Sequence, residues 1–537
     1  MTDSETSTAN TAKGILLTLA AGQFLMTLDT SVMNVSIATV AEDLGTTVTG
    51  IQGAITAYTL VMAMLMIPGG KVGAIIGRKR AFMIGCLIYG AGSFTTAISP
   101  NLSVLLLGWS FLEGVGAALI LPAIVGLVAG NFSVERRPAA YGIVAASGAI
   151  AIAVGPLVGG FATTYFSWRW VFAGEVVMVL GILAFARRVA DAPPAQRPRI
   201  DVIGAVLAAA GLGLFVYGIL QADEWGWSKP KPDAPSWFGL SPVVWLMLAG
   251  VLLMWAFLRW EAHLVRQSKE PLVGPGLLKI RQFTGGLTMF FFQYFIQMGV
   301  FFVVPLYLSV ALGLSALETG ARILPLSVTL LAAALGIPRL LPKASPRRVV
   351  RIGVLLMLLG AVVLMAALDV DSGGEVVTVP LLLLGLGMGA LASQLGAVTV
   401  SAVPTEQSDE VGGLQNTVTN LGASVGTALA GSIMIGVLAA SFTTNIQQSD
   451  AIPSQVKSQA SVELASGVPF VSDAQLKAGL NEAGASSQGT QAALDANADA
   501  RIDGLKAALA VLTLVGLLSL FFVPRIPATQ PRGVPNG

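Results

Sequence analysis

Charge is what this sequence has least of. Asp, Glu, Lys and Arg make up 11% of its 537 residues, against about 25% in a soluble domain. The shortage runs the whole length, and mean hydropathy is +0.77, so the surrounding solvent is lipid. A net charge of +2 lacks the basic excess that a nucleic-acid partner requires. One cysteine, Cys86, excludes an internal disulfide and a thiolate metal centre; it lies in an apolar run and reads as an inert core thiol. One histidine, His263, falls between two apolar runs and has no catalytic companions. No phosphate-binding glycine loop, metal cluster or triad is visible, so neither an enzyme nor a metal nor a cofactor is expected. Short alternating segments are missing too, which excludes a β-barrel.

What is there is apolar sequence in long runs. A spanning helix needs about 20 mostly apolar residues. Fourteen segments qualify, near 14–40, 51–69, 81–98, 104–130, 139–165, 170–190, 202–221, 242–260, 284–309, 319–337, 348–368, 377–402, 411–440 and 503–524. Backbone groups in hydrocarbon must bond within their own segment, so these are helices. The first run is too long for a signal-peptide core of about 7–15 residues and reads as a retained span. With the N-terminus inside, 23 of the 31 Lys and Arg fall on the cytoplasmic side, which places both termini in the cytoplasm. Trp225, Trp227 and Trp237 then lie in an external loop, as interfacial anchors do. "ADAPPAQRPR", 190–199, reads as a cytoplasmic linker. Residues 441–502 are polar and read as an external loop, with one or two short helices around "SDAQLKAGLNEAG", 472–484.

Two stretches carry mechanism. "GGKVGAIIGRKR", 69–80, closes span 2 and opens span 3 with Gly70, Gly77, Arg78, Lys79 and Arg80. It is a positive-inside signal, or a cytoplasmic latch that moves with a transport cycle. "GAIAIAVGPLVGGFATTYFSWRWVF", 148–172, holds Gly155, Pro156, Gly159 and Gly160. Small residues let helices approach closely and proline bends a helix, so helix 5 is expected to be bent and closely packed.

These stretches, with "LDTSVMNVSIATVAEDL" in span 1, resemble the major facilitator superfamily in its fourteen-span drug:proton antiporter branch (the EmrB/QacA type). "AVGPLVGGF" is similar to the branch's fifth-span antiporter motif, and "SWRWVF" is similar to the branch's segment just after that motif. "VPLYLSVALGLSALETGARILPL", 304–326, and "EVGGLQNTVTNLGASVGTALAG", 410–431, resemble it as well. The resemblance implies an all-α membrane protein with two six-helix bundles, 14–190 and 284–440 plus 503–524, around a central cavity. It also implies two extra helices at 202–260, joined by a linker at 191–201 and a cytoplasmic loop at 261–283, with tails at 1–13 and 525–537. The sequence departs from the family pattern. Ala74 and Ile75 replace the loop motif's Asp and basic residue; Ser110, Glu113 and Gly114 stand in the Arg-x-x-Gln-Gly positions of span 4; Glu175 stands at the Asn of span 6.

Asp29 sits in the middle of span 1, and a charge there costs about 2.5–3.5 kcal/mol on insertion scales. At 1.5 Å per residue, Asp29 and Glu113 both lie roughly 14 Å below the outer surface and Glu175 at roughly 8 Å. The resemblance implies that spans 1 and 4 both line the cavity, so Asp29 and Glu113, at one depth, are expected to meet and exchange protons, with Glu175 a shallower third candidate or a partner of Arg169. Asn34, Gln293, Tyr294, Gln297, Gln394, Gln415 and Asn416 are the candidate cavity residues. The leading expectation is a proton-coupled exporter of lipophilic or cationic small molecules such as drugs. It would act as a monomer in the bacterial inner membrane, driven by the proton motive force. Export of a lipid or cell-envelope metabolite, or a non-transporting receptor or assembly factor, are the alternatives.

Overall fold

The structure is a computed structural model. It describes residues 3–132, 137–189, 191, 201–231, 234–269, 271–403, 408–448, 473, 476, 477, 480 and 487–530. The fold is all-helical: among the described residues the sole extended pairing is one isolated bridge, Trp237 with Leu240.

Among the described residues, fourteen long helices follow one another. They are α1 (Asp3–Asp43), α2 (Val48–Ile76), α3 (Arg78–Ala97), α4 (102–131), α5 (Arg137–Tyr165), α6 (Arg169–Ala186), α7 (Val202–Leu220), α8 (Pro242–Arg266), α9 (Arg281–Leu306), α10 (Ala316–Leu340), α11 (Pro346–Ala367), α12 (Thr378–Val400), α13 (Ser408–Gln448) and α14 (Ser487–Leu517). Thirteen of the fourteen are long and apolar enough to cross a membrane; α3, which opens on three basic residues, is the other. Side chains such as Leu87, Phe94, Phe161, Val177, Leu252 and Trp255 face outward, exposed. On a helix bundle such a belt meets lipid, and the chain is a multi-pass membrane protein.

Local chemistry starts several helices. Thr47 caps α2 by accepting from Gly50 N at 3.1 Å, and Asn101 caps α4 by accepting from Val104 N at 3.1 Å. Ser315 and Glu318 form a reciprocal capping box at α10. Helices also run beyond the apolar stretches. α1 takes in residues 3–13, read from sequence as a tail. α13 continues to Gln448 and α14 begins at Ser487, so both ends of the polar 441–502 segment are helical. The propensity of Ala, Ser and Gln carries a helix past the hydrocarbon. Most of 472–484, where short helices are expected, lies outside the described residues. His263 lies within α8, not in a loop.

Helices α1–α6 and α9–α14 form two bundles. They meet along α2 with α13 and along α5 with α10, while α7 pairs with α8 and rests on α2 and α13. On the side opposite the start of α1, termed the far side, hydrogen bonds close these seams. Gln52 Nε2 donates to Thr427 O at 3.2 Å, Thr59 Oγ1 and Ser424 Oγ are 2.6 Å apart, and Leu317 N donates to Thr164 Oγ1 at 3.1 Å.

Candidate functional site

Asp29, Glu113 and Glu175 come from α1, α4 and α6, and their carboxylate oxygens lie within 4.8 Å of one another. All three are buried. Trp109 Nε1 donates to both oxygens of Asp29, at 2.8 and 3.0 Å. Ser93 Oγ and Tyr89 OH donate to Glu175 at 3.1 and 3.4 Å, and Thr96 Oγ1 donates to Glu113 at 3.3 Å. Glu113 Oε2 and Glu175 Oε1 make no hydrogen bond among the described residues, and no ion pair reaches the cluster there. Two ionised carboxylates at this separation repel by about 3 kcal/mol at an effective dielectric of 20. A positive charge among these oxygens would relieve that repulsion. The cluster's donors are hard oxygens, chemistry that suits a proton or a small hard cation.

Backbone packing makes the cluster possible. A Cβ on Gly92 would stand 2.6 Å from Glu113 Cγ and 2.7 Å from Gly108 O, so α3 and α4 touch where Glu113 turns inward. Residues Leu106–Glu113 of α4 are π-helical, a local widening that occurs at functional positions. That stretch carries Trp109, Ser110 and Glu113 together. Trp109 also stacks on Tyr58 of α2, ring centroids 5.2 Å apart and planes 9° from parallel.

A separate cavity of about 130 Å³ lies between the bundles. Thr27, Thr30 and Asn34 of α1, Tyr294, Gln297 and Phe301 of α9, and Asn416 and Asn420 of α13 give it its character, amides and hydroxyls among Met and Phe. Thr59, whose hydroxyl meets that of Ser424, lines it as well. Asp29 does not line it: α1 turns Thr27, Thr30 and Asn34 to the cavity and Asp29 to the interior of the first bundle.

Residues 19–427 match the family profile described as Major Facilitator Superfamily. The chain belongs to the Major Facilitator Superfamily. It is 30% identical over 431 residues to the puromycin resistance protein pur8 of Streptomyces alboniger, covering 79% of this chain and 82% of that one. It is 26% identical over 426 residues to the tetracenomycin C resistance and export protein of Streptomyces glaucescens, covering 78% and 75%. A solved bacterial homologue of the human lysosomal transporter Spinster, inward-facing and occupied, superposes with a TM-score of 0.57 at 16% identity, covering 97% and 98%, a likeness of fold.

In this superfamily member the sequence-derived candidates divide. Asp29 and Glu113 meet, and Glu175 joins them instead of lying shallower. The depth count treats helix ends as level and side chains as points; helix tilt and the reach of a glutamate lie outside it. Arg169 is not the partner of Glu175: it pairs with Asp43 and donates to Ser99 O at 2.7 Å. Asn34, Tyr294, Gln297 and Asn416 line the cavity, whereas Gln293, Gln394 and Gln415 do not. Gln394 accepts from Gln530 Nε2 at 3.2 Å and Gln415 from Thr399 Oγ1 at 3.2 Å, both against the second bundle's own helices and tail. Gln293 is buried four residues from Gln297, but a straight four-residue spacing does not keep a residue on so narrow a lining.

Helix α5 is unbroken through Pro156. Gly155 and Gly159 pack on Ser31 and Val32 of α1, and Gly160 on Ala316 and Leu317 of α10. The motif thus joins α5 to a cavity helix on one face and to the other bundle on the next. In the loop motif, Gly70 packs on Pro122, Gly77 takes φ 103°, Arg78 Nη1 donates to Gly126 O at 3.0 Å, and Lys79 Nζ donates to Arg187 O at 2.8 Å. Arg80 is exposed. The loop ties α3 to the ends of α4 and α6. Trp109 and Tyr58 escaped the sequence reading. The signal that could have found the first is an indole four residues before a span glutamate.

Proposed function

We propose that this protein is a proton-coupled exporter of amphipathic small molecules, drugs among them. The observation that carries the reading is the buried trio Asp29, Glu113 and Glu175, within 4.8 Å and without a cationic partner among the described residues. A cavity of mixed amide and aromatic character lies between the bundles, and the relatives are named for antibiotic resistance and export. In this reading the compact cluster is the proton-loaded form. Protons arrive while the far side is open, and their loss toward the start of α1 lets cargo bind and reopens the far seams. The cavity lies within one chain, which supports a monomeric unit. The basic loop 77–80 supports cytoplasmic termini and an inner-membrane setting.

The test is reconstitution in proteoliposomes with a pH-sensitive dye inside. Adding puromycin or another amphipathic antibiotic should move protons opposite to the drug. Drug movement with no proton movement would overturn the coupling.

A further inference from the structure

We propose that Trp109 is a positioning residue that transmits the proton load of the carboxylate trio to the far-side seam between α2 and α13. The inference rests on the trio being the coupling site, and it assigns the part that connects that site to the gate.

One segment of α2 serves two interfaces. On one face, Tyr58 stacks flat against Trp109, Ala54 O accepts from Ser110 Oγ at 2.8 Å, and Gly114 leaves room for Val61. On the other, Thr59 Oγ1 meets Ser424 Oγ, Ser424 Oγ lies 3.1 Å from Thr56 O, and Gln52 reaches Thr427. The first face belongs to the π-helical stretch of α4, whose indole N–H bonds both oxygens of Asp29. The second face is the far-side closure itself. A displacement of α4 against α1 therefore reaches the seam through one ring stack and one helix.

The force for that displacement is electrostatic. With protons on the trio, α1, α4 and α6 can approach as seen here. Without them, the carboxylates repel and α4 is pushed from α1. Trp109 is held to Asp29 by its N–H and to Tyr58 by its face, so the push is delivered to α2 and strains the Thr59–Ser424 contact. Tyr58 OH lies near the Asp29 carboxylate but makes no hydrogen bond of ordinary length among the described residues, so that ring is held chiefly by the stack and by packing. Asp29 on α1 and Tyr58 on α2 contact the indole, and the other titratable groups gathered at the trio are Tyr89 on α3, Glu113 on α4 and Glu175 on α6. The expected sense is a far side closed in acid and loosened in alkali.

The experiment uses the full-length chain in native membranes with Thr59→Cys and Ser424→Cys, whose hydroxyls lie close enough for a disulfide. Cross-link yield under a permeant oxidant is read against pH. The parent pair should give about five-fold more cross-link in acid than in alkali, the lower end of site-to-site coupling. Trp109→Phe keeps a ring on Tyr58 but removes the N–H, and Tyr58→Leu keeps the N–H bond but removes the stack. Each should flatten the pH response at unchanged protein level. Should Trp109→Phe fail to accumulate, Tyr58→Leu alone decides. Either variant retaining the parent's pH response, or a parent with none, overturns the relay. Dye measurements on the parent report proton movement separately, so loss of the relay and loss of proton coupling are told apart.

Discussion

Gly320 on α10 lies against the carbonyl oxygen of Pro156 on α5 with no space for a Cβ between them. The two bundles thus touch backbone to backbone, and Gly160 repeats the contact on α5 against Ala316. Gly320→Val should hold this seam apart. Overpacking of this kind costs about 1–3 kcal/mol, here charged to one conformation rather than to the fold. The expected outcome is normal protein level, strongly reduced efflux, and faster labelling of a cysteine placed at Thr164 by an impermeant thiol reagent.

Neutral amides at the trio separate shape from charge. Asp29→Asn can still accept from Trp109, and Glu113→Gln and Glu175→Gln keep their length. Each should abolish uphill efflux while leaving exchange of labelled for unlabelled drug across the membrane. The amides match the neutral, proton-loaded carboxyls of the compact cluster and cannot ionise and repel, so melting in detergent should hold or rise. Efflux driven by an acid far side should lose its dependence on the imposed gradient. Uphill pumping that survives in all three would place coupling elsewhere.

Much of this was legible in the sequence, for identifiable reasons. Hydrocarbon thickness fixes span length, so the fourteen apolar runs correspond to the fourteen long helices among the described residues. Buried acids are rare, so the trio stood out. What failed was placement around each helix. Asp29 and Asn34 are five residues apart, roughly 140° around an α-helix, so one can face the cavity while the other faces the bundle interior. For Gln394 and Gln415 the competing partners, Gln530 and Thr399, become neighbours only after folding. The indole on Asp29 depends on a π-helical stretch that no residue pattern announces.

Gly77 joins α2 to α3 at φ 103° and ψ 134°, backbone space that is essentially glycine's own and costs other residues about 1–3 kcal/mol. Its amide neighbour, Lys79 N, donates to Asp191 Oδ1 at 3.3 Å. Gly77→Ala should lower thermal stability by roughly that amount and slow turnover, through loosened attachment of α3 to α6. Asp191→Asn, exposed and able to accept the same bond, should be nearly silent. A melting series in detergent with efflux rates distinguishes the two.

At the far ends of α1, α3 and α6, Arg169 pairs with Asp43 while Trp168 Nε1 donates to the same carboxylate at 2.9 Å. The ion pair is 29% and 43% exposed, and exposed pairs contribute about 0–1 kcal/mol. Trp168 is 2% exposed, and deleting a buried Trp costs about 3–5 kcal/mol. Arg169→Ala should therefore shift melting little and Trp168→Ala a great deal. The reverse order would mean that the charge network, not the indole, fixes these helix ends.

Asn34 separates recognition from greasy fit. Asn34 lines the cavity; its Nδ2 donates to Thr30 O at 2.8 Å within α1, whereas its buried Oδ1 has no partner among the described residues. A buried acceptor without a donor is costly, and a cargo ammonium or amide N–H would satisfy it. The net contribution of such a bond is about 0.5–1.5 kcal/mol, which is roughly two- to twelve-fold in affinity. Asn34→Leu should raise KM by that factor for cargo bearing an N–H donor and leave kcat little changed, because the bond is made to bound cargo generally. For cargo of similar size without a donor, KM should hold or fall, since the unsatisfied oxygen is gone. Parallel efflux titrations of an aminated compound and its des-amino analogue read the difference. An equal rise for both would show that Asn34 shapes the cavity instead of bonding to what it carries.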